Sequence, residues 1–182
     1  MIADVMGSES EFGVVLASEK GMASIGCTAI IERILKKYPD GRMDILTRGR
    51  RRFEIIMIDQ ERNYLRASVA LVSDDEQPDE EAGDLLKQRV LSSYTNLMML
   101  EHGGVTTDVP DAKHPNLSFQ VADAIPDLEF RQSLLGMRNE RQRLEALLNF
   151  LPSYIEREKL IRNARRVAPL NGFAKRIPEA AQ

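Results

Sequence analysis

The segment IGCTAIIERILKKYPDGRMDILTRGRRRFEIIMI, residues 25–58, carries the clearest structural signal in this sequence. Its centre, PDG at residues 39–41, is a strong turn signal. Proline presets a negative φ, aspartate bonds to its own backbone, and glycine accepts a positive φ. Apolar runs flank the turn at residues 30–35 and 43–46. The pattern predicts a β-hairpin with a loop of a few residues.

Apolar and alternating segments outside this hairpin predict further strands. Residues 12–17 form a short apolar run, and residues 25–31 place apolar side chains on one face. Gly49 is predicted to separate two strands, and residues 53–58 after it are rich in β-branched and aromatic side chains. Residues 64–72 alternate, and their apolar face consists of Leu65, Ala67, Val69 and Leu71. Five strands, counting the one after the turn, indicate a curled sheet or a small barrel.

An acidic segment separates two differently built halves of the chain. Residues 73–84 carry seven acidic side chains and no basic one, a composition that is typical of a connection rather than a core. The carboxylates of residues 74–81 are expected to be solvated, without the fixed, desolvated pairing that acid–base chemistry needs. The predicted division is a β-barrel subdomain at 1–72, an acidic linker at 73–78, a helical subdomain at 79–168 and a loosely held tail at 169–182.

Helical periodicity dominates the second half. Apolar residues recur at helical spacing over residues 79–100, and Gly103 is predicted to end that helix in a left-handed conformation. Asn116 and Asp127 are predicted to cap the next two helices.

The last predicted helix begins at a capping-box pattern, Asn139 with Gln142. Its apolar stripe is predicted to consist of Leu144, Leu147, Leu148 and Leu151, continued by Ile155 and Leu160. Pro152 is expected to kink this helix or to start a new one.

Composition and charge narrow the function classes. The chain has 182 residues, 43% hydrophobic and 29% charged, with a formal net charge of −3. This balance indicates a soluble globular protein that does not bind polyanions over its whole surface. A single cysteine excludes an intramolecular disulfide and a cysteine-based zinc cage. No secretory leader and no run long enough to span a membrane are found, so a cytoplasmic location is expected.

No residue pattern points to catalysis. The phosphate-binding loop, the dinucleotide fingerprint, the nucleophile elbow and the paired-histidine zinc motif are all missing from the sequence. His102 and His114 are interpreted as solvated loop side chains, and Cys27 as a small buried hydrophobe in a strand. No catalytic residue, metal ligand or cofactor is therefore predicted.

The one concentrated positive feature is the cluster Arg48, Arg50, Arg51 and Arg52. These side chains could contact phosphate or an RNA backbone, or form a charged turn that leads into an edge strand and discourages edge-to-edge pairing. The second interpretation is favoured because the first half has almost no net charge. A second basic group, Arg162, Arg165, Arg166, Lys175 and Arg176, is interpreted as complementing the dipole of the last helix.

The sequence segments of the strand half and of the helical half, taken in this order, resemble the N-terminal substrate-binding domain of the Lon protease family. In the strand half the resemblance is carried by IGCTA at 25–29, PDGR at 39–42, Ile45-Leu46 with Gly49, and RFEI at 52–55. In the helical half it is carried by Gln132 with Leu134-Leu135, Glu140-Arg141 and Arg143-Leu144. It extends from residue 1 to about residue 165.

The resemblance implies an α+β fold, in which a PUA-like small β-barrel is followed by an α-helical bundle. It also implies a role in protein quality control by binding exposed apolar segments of unfolded or misfolded proteins. Catalysis is not expected, since the ATPase and Ser–Lys protease domains of full-length Lon proteases have no counterpart in these residues. In that family an apolar strand and a Pro-rich turn lead to a helix whose end corresponds to residues 1–6, so the apolar strand itself has no counterpart in this sequence. The barrel is therefore expected to lack that N-terminal strand and to expose an unpaired edge.

Contact residues for such segments are predicted at the hairpin and its flanks: Leu35, Tyr38 and Met43. Tyr38 precedes the tight turn and is expected to be partly exposed, although packing of the hairpin against the barrel explains these residues equally well. Two other functions stay open. One is RNA binding through the arginines at 48–52, although nucleic acid is the less expected partner. The other is docking of a partner protein on an apolar stripe within residues 127–165.

Overall fold

The computed structural model describes residues 2–8, 10–19, 21–60, 63–75, 81–103 and 109–171. In chain order its elements are α1 (Ile2–Ser8), β1 (Phe12–Ser18), β2 (Gly21–Lys37), β3 (Met43–Asp59), β4 (Arg66–Val72), α2 (Glu81–His102), α3 (Leu117–Asp123), α4 (Leu128–Gly136) and α5 (Glu140–Asn171). The predicted α+β class is confirmed. Of the predicted tail, everything after Asn171 lies outside the described residues.

The chain divides into two compact units. The first contains Met1–Gln77 and Pro126–Asn139, and therefore the whole sheet with α1 and α4. The second contains Pro78–Ile125 and Glu140–Gln182, with α2, α3 and α5. The helical part predicted at 79–168 is thus interrupted, because α4 belongs with the sheet. The predicted domain boundaries stay a prediction.

The sheet is a four-stranded antiparallel meander in the order β1-β2-β3-β4. β2 pairs with β1 over residues 21–29 and with β3 over residues 25–37. β3 then pairs with β4 over residues 52–59. β1 and β4 are the edges of the sheet formed by the described strands. Since that sheet is not closed, the predicted barrel is not confirmed.

Four strands are found in the described residues where the sequence predicts five. The segments 43–46 and 53–58 belong to one strand of 17 residues, β3. Gly49 does not interrupt this strand, since it pairs with Ala29 in the ladder. A turn at a glycine usually needs a positive φ and a neighbouring Pro, Asp or Asn. The stretch around Gly49 has neither, and the described glycines with positive φ are Gly21, Gly41 and Gly103.

The central hairpin extends beyond its neighbours as a two-stranded ribbon. Residues 30–37 and 43–48 pair with each other and, among the described strands, with no other. At the end of the ribbon, the Tyr38 amide donates to the Arg42 carbonyl at 2.9 Å, and the Gly41 amide donates to the Tyr38 carbonyl at 3.1 Å. Gly41 has a φ of 88°, which confirms the predicted turn and its glycine.

The first unit has a small apolar core. Among its described residues, the buried apolar side chains are Ala29, Phe53 and Leu134. The ring of Phe53 lies against β1 and β2, where Gly13 and Gly26 leave room for it. The glycine of the IGCTA segment is therefore required by the close approach of an aromatic ring.

Hydrogen bonds to main-chain carbonyls hold α4 to the sheet. Gln132 Nε2 donates to the Ile25 carbonyl at 2.9 Å. Arg52 Nη1 donates to the carbonyls of Leu135 and Met137 at 3.0 and 2.6 Å. Carbonyls at the end of a helix need donors from outside it. Arg52 therefore caps α4 and ties it to β3.

Two of the predicted helix-end signals are confirmed. Asp127 Oδ1 accepts from the Phe130 amide at 2.9 Å at the start of α4, and Gly103 has a φ of 69° after α2. Asn116 precedes α3, but its side chain makes no capping hydrogen bond. A carboxylate of α5 replaces it by accepting from the Ser118 amide at 2.8 Å.

The second unit is built on contacts of α2 with α5 and of α3 with both. Its buried apolar side chains include Val90, Tyr94, Leu97, Met98, Leu117, Val121, Ile125, Leu144, Leu147, Leu151, Tyr154 and Ile155. Pro152 lies inside α5, which continues as one helix, so no new helix starts there. Leu160 is 69% exposed and does not continue the stripe, because it lies about 140° around the helix from Ile155.

A buried arginine joins α3 to α5. The side chain of Arg143 is inaccessible to solvent. Its Nε donates to Ser118 Oγ at 2.9 Å, and its Nη2 donates to Glu140 Oε2 at 2.7 Å. The guanidinium carbon lies 4.5 Å from the centroid of the Phe119 ring. The cluster satisfies a charge that would otherwise be costly to bury.

Candidate functional site

A groove of about 650 Å³ lies on one face of the sheet in the first unit. The residues lining it come from β3 (Phe53, Ile55), β1 (Phe12, Val15) and β4 (Ala67, Val69), with further contributions from α1 and β2. Because β1 and β4 are the edges of the sheet, the groove extends across the face from one edge towards the other. Such an apolar concavity is the usual form of a binding site.

The edge strand β4 contributes exposed aliphatic side chains to this groove. Leu65, Ala67 and Val69 line it, and strand alternation places Leu71 on the same face. Leu65 is 58% exposed, Val69 42% and Leu71 53%. The apolar face predicted for residues 64–72 is therefore present, and it is open to solvent rather than covered.

The helix α1 lies at the end of the groove where β4 begins. Asp4 and Val5 of this helix line the groove together with Tyr64. The Tyr64 hydroxyl donates to Asp4 Oδ2 at 3.0 Å. This hydrogen bond joins α1 to the segment that leads into β4.

A polar cluster lies at the β1 side of the groove. Arg51 Nη2 and Nε donate to Glu11 Oε2 at 3.0 and 3.2 Å. The Arg51 amide donates to Thr28 Oγ1 at 3.1 Å. Hydrogen bonds from Thr28 and Arg51, with the positive charges of Arg51 and Arg50, hold the pKa of Glu11 below its ordinary value. Glu11 is therefore an ionised, partnered carboxylate.

The predicted contact residue Tyr38 lies at the end of the ribbon, not in the groove. Its hydroxyl donates to Asp44 Oδ2 at 2.8 Å. That hydrogen bond and partial burial raise the pKa of Tyr38. Lys36 Nζ and Arg42 Cζ lie 4.6 and 5.2 Å from its ring centroid. The surroundings of Tyr38 are therefore charged, in contrast to the apolar groove.

The other two predicted contact residues lie near Tyr38 in the same ribbon. Leu35 is 56% exposed. Met43 is half-buried and pairs with Lys37 in the ladder. Neither residue lines the groove. The groove was not predicted from the sequence, although the apolar face of residues 64–72 was the signal that could have located it.

The arginine cluster is part of the interior strand β3, so the interpretation as a charged turn that leads into an edge strand is wrong. Three of its members face carboxylates from neighbouring segments, and these ion pairs are Arg48–Glu32, Arg51–Glu11 and Arg52–Asp74. Arg50 is exposed. Because most of the positive charge is locally neutralised, the cluster is a poor phosphate-binding surface.

The first two acids of the acidic segment have arginine partners. Asp74 pairs with Arg52. Asp75 Oδ1 lies 3.2 Å from Arg138 Nη2, and its amide donates to the Arg138 carbonyl at 2.8 Å. The expectation that this segment is wholly solvated is therefore wrong at its start. Residues 76–80 lie outside the described part of the chain.

None of the candidate chemical residues is among the residues that line the groove. His114 lies in a turn and accepts from the Asn116 amide at 3.1 Å, whereas His102 is the last residue of α2 rather than a loop residue. Cys27 is half-buried in β2. Within the described ranges, no three His, Cys, Asp or Glu side chains cluster closely enough to hold a metal ion. No helix in those ranges is long and apolar enough to cross a bilayer.

These features define an α+β domain with an apolar groove on its sheet, and comparison with known proteins gives its family. A sequence model of the ATP-dependent protease La (LON) substrate-binding domain matches residues 1–153. The chain therefore belongs to the Lon substrate-binding domain family, as the resemblance in the sequence predicts. The matched region is a non-catalytic domain.

Two curated relatives show how much of a Lon protease is matched. Lon protease 1 of Hydrogenovibrio crunogenus is 29% identical over 135 residues, which is 71% of this chain and 17% of that protein. Lon protease of Buchnera aphidicola subsp. Baizongia pistaciae is 28% identical over 155 residues, which is 80% of this chain and 20% of that protein. The chain thus spans about a fifth of the length of these relatives.

Solved structures support the same fold. A Lon N-terminal domain protein from Xanthomonas campestris superimposes with a TM-score of 0.60 and 25% identity, over 82% of this chain and 80% of that one. The N-terminal domain of a Mycobacterium avium complex Lon protease also gives 0.60, at 17% identity, over 83% and 82% of the two chains.

Proposed function

We propose that this chain is a non-catalytic module that binds exposed apolar segments of unfolded or misfolded proteins in the cytoplasm. The observation that carries the proposal is the apolar groove, whose aliphatic side chains at Leu65 and Val69 are exposed. Membership of a substrate-binding domain family supports it. An unfolded client presents the extended apolar chain that such a surface can accept.

Charge supports a protein ligand over RNA. A nucleic-acid surface needs several cations free to meet phosphates. Here Arg48, Arg51 and Arg52 face carboxylates within the first unit, and the whole chain has a net charge of −3. RNA binding is therefore the less favoured function.

The hairpin residues remain a proposal for a second contact. Leu35 is exposed on the ribbon and could touch a client segment longer than the groove. Tyr38 and Met43 would contact the client next to charged side chains, since Lys36 and Arg42 lie close to the Tyr38 ring. Substitution of Leu35 by Asp should therefore weaken client binding less than a charge placed in the groove.

The test compares one client in two states. Fluorescein-labelled α-lactalbumin is titrated as the native protein and as the reduced, carboxymethylated form, which stays unfolded. Fluorescence anisotropy should show saturable binding of the unfolded form alone. Because apolar contacts carry the affinity, the dissociation constant should change little between about 50 and about 300 mM salt.

A labelled single-stranded RNA is the matched control for charge. Binding of RNA with a steep loss of affinity over the same salt range and no binding of the unfolded protein would contradict the proposal. Equal binding of native and unfolded α-lactalbumin would do so as well, because recognition would then not depend on exposed apolar segments.

A further inference from the structure

We propose that α4 is a detachable element of the first unit, held on the sheet by an ion-pair cluster of Arg52, Asp74, Asp75 and Arg138. Opening of this ion-pair cluster releases α4 and residues 73–75 together, while the strands stay folded. The proposal concerns the face of the sheet opposite to the groove, and it does not depend on what the groove binds.

The connectivity of the chain allows α4 to leave the sheet. The segment Pro126–Asn139, which contains α4, belongs to the first unit, although segments of the second unit precede and follow it in the sequence. None of the described strands adjoins α4 along the chain. Only non-covalent contacts therefore hold α4 on the sheet, and its release requires no break in the strand ladders.

The apolar contacts of α4 are few. Of its nine residues Leu134 alone is buried, whereas the shorter helix α3 buries four of its seven residues. Leu128, the first residue of α4, is exposed. A segment with few buried apolar contacts opens at a lower free energy than the core of its domain. The polar contacts of α4 therefore determine how often it leaves the sheet.

Arg52 connects the end of α4 to residues 73–75. It donates from β3 to the carbonyls of Leu135 and Met137 at 3.0 and 2.6 Å, and it pairs with Asp74. Its side chain is only 11% exposed, so the loss of the α4 carbonyls alone would leave a largely buried charge with unmade hydrogen bonds. Opening is less costly when residues 73–75 also leave, because water then reaches the guanidinium.

Arg138, which follows the C-cap of α4, binds the same three residues directly. Its carbonyl accepts from the Asp75 amide at 2.8 Å, and its Nη2 lies 3.2 Å from Asp75 Oδ1. Its Nε donates to the Ser73 carbonyl at 3.3 Å. The end of α4 can move away only by breaking all these contacts or by carrying residues 73–75 with it. We therefore expect the two segments to open as one unit.

Opening uncovers Ile25 of β2. Gln132 of α4 donates to the Ile25 carbonyl at 2.9 Å, and a Cβ on Gly136 would lie 3.4 Å from Ile25 Cδ1. The neighbour of Ile25 in β2 is Gly26, whose partner Phe53 lines the groove. Strand alternation therefore places Ile25 on the opposite face. The ion-pair cluster thus controls whether this face is covered.

The test is amide hydrogen exchange of the full chain, measured by NMR at increasing urea concentrations below the unfolding transition. Two amides report the proposed opening: that of Asp75, and that of Met137, which donates to the Leu134 carbonyl at 3.1 Å. Their protection factors should depend only weakly on urea, because a local opening exposes little surface. Protected amides of β3 should depend more steeply on urea.

Three substitutions of one kind separate the contributions. Asp74→Asn should lower both protection factors at least about tenfold, because the opening no longer breaks an ion pair with a largely buried arginine. Asp75→Asn removes an exposed pair and should lower both less than about fivefold, with a smaller effect at high salt. The control Asp40→Asn breaks the exposed pair with Arg42 in the same unit and should change neither protection factor.

Each result supports or overturns the proposal. If the Asp75 and Met137 amides of the unsubstituted chain have the same urea dependence as those of β3, α4 leaves only on global unfolding and the proposal is wrong. It is also wrong if Asp74→Asn changes one of the two amides and not the other. If Asp74→Asn does not fold, Asp75→Asn at low salt decides, and equal protection in Asp75→Asn and Asp40→Asn overturns the proposal.

Discussion

The ring of Phe53 occupies the space that a side chain at position 26 would need. A Cβ atom on Gly26 would lie 2.7 Å from Phe53 Cζ and 2.5 Å from the Val14 carbonyl oxygen. Phe53 is 3% exposed, and it is one of the few buried apolar side chains described in the sheet unit. The absence of a side chain at Gly26 therefore leaves room for the Phe53 ring, which lines the groove.

Gly26→Ala should destabilise the protein by about 1–3 kcal/mol, because the added methyl group overpacks a buried contact against backbone and ring. The matched control is Gly49→Ala, in a strand interior where the nearest described contact of a Cβ is Cys27 Sγ at 3.4 Å. That variant should be neutral or stabilising by up to about 1 kcal/mol. Urea denaturation measures both, and equal losses would contradict the assigned contact.

Gly41→Val should cost about 1–3 kcal/mol, through backbone strain alone. The φ of Gly41 is 88°, a conformation that β-branched residues rarely adopt, while no neighbouring atom lies within 4 Å of a Cβ there. Arg50→Ala, an exposed change in the same hairpin, should stay within about 0.5 kcal/mol. If both variants melt at the same urea concentration, strain at Gly41 is not the cause.

Arg52→Met should loosen α4 as well as lower global stability. The side chain of Arg52 is 11% exposed and bonds to the Leu135 and Met137 carbonyls and to Asp74. Each hydrogen bond to a charged donor contributes about 1.5–3 kcal/mol to the free energy of unfolding. Hydrogen exchange should accelerate in residues 128–136, whereas Arg50→Met should leave that helix unchanged. Unchanged exchange in Arg52→Met would refute the capping role.

Arg143→Met should be strongly destabilising, by about 3–5 kcal/mol, because it leaves the carboxylate of Glu140 in a nearly buried site without its partner. The control is Arg141→Met on the same helix, which breaks the exposed pair with Glu145 and should cost no more than about 1 kcal/mol. Thermal denaturation of the two variants gives the comparison. Similar melting temperatures would show that the buried pair has no special role.

Glu11→Gln should remove a pH-dependent part of the stability. The pKa of Glu11 is lowered in the folded protein, so its ionised form is favoured by folding. That contribution is present above the ordinary value of 4.5 and is lost as the pH falls through the lowered pKa. Urea melts of the two proteins should therefore differ near neutral pH and converge in acid.

Thr28→Val serves as the control for this effect, since the hydrogen bond from Thr28 is the largest cause of the lowered pKa. Glu11→Gln should change the pH dependence less in the Thr28→Val background than in the unsubstituted chain. If the stability of the unsubstituted chain and that of the Glu11→Gln variant differed by the same amount at all pH values, the ionised Glu11 carboxylate would not be the source of the pH dependence.

Local chemistry made the turns and some caps predictable. The positive φ at Gly41 and Gly103 and the hydrogen bond of Asp127 to the next helix each depend on a few neighbouring residues. Gly49 shows the limit of that reasoning, because a lone glycine is equally compatible with a turn and with a strand interior. Pairing with Ala29 decides between them, and pairing is a long-range contact.

The buried arginine and the groove depend on such long-range contacts. Arg143 has the sequence spacing of an ordinary surface pair with Glu140, and its burial follows from Ser118 and Phe119 on another helix. The apolar alternation in residues 64–72 was visible in the sequence, but not whether another element covers that face. The groove could therefore be anticipated as an apolar surface but not as an open one.

The ribbon formed by residues 30–37 and 43–48 can change its reach without disturbing the rest of the sheet. Its two strands bond to each other and, among the described strands, to no other. Deleting two residues from each strand would draw Tyr38 about 7 Å closer to the sheet and keep every side chain on its face. Deleting one from each would invert the faces beyond that point. The extra residues of β2 between Ile31 and Arg33 and between Ile34 and Lys36 show how a single added residue is accommodated here, as a bulge, whereas a change of two in both strands needs none.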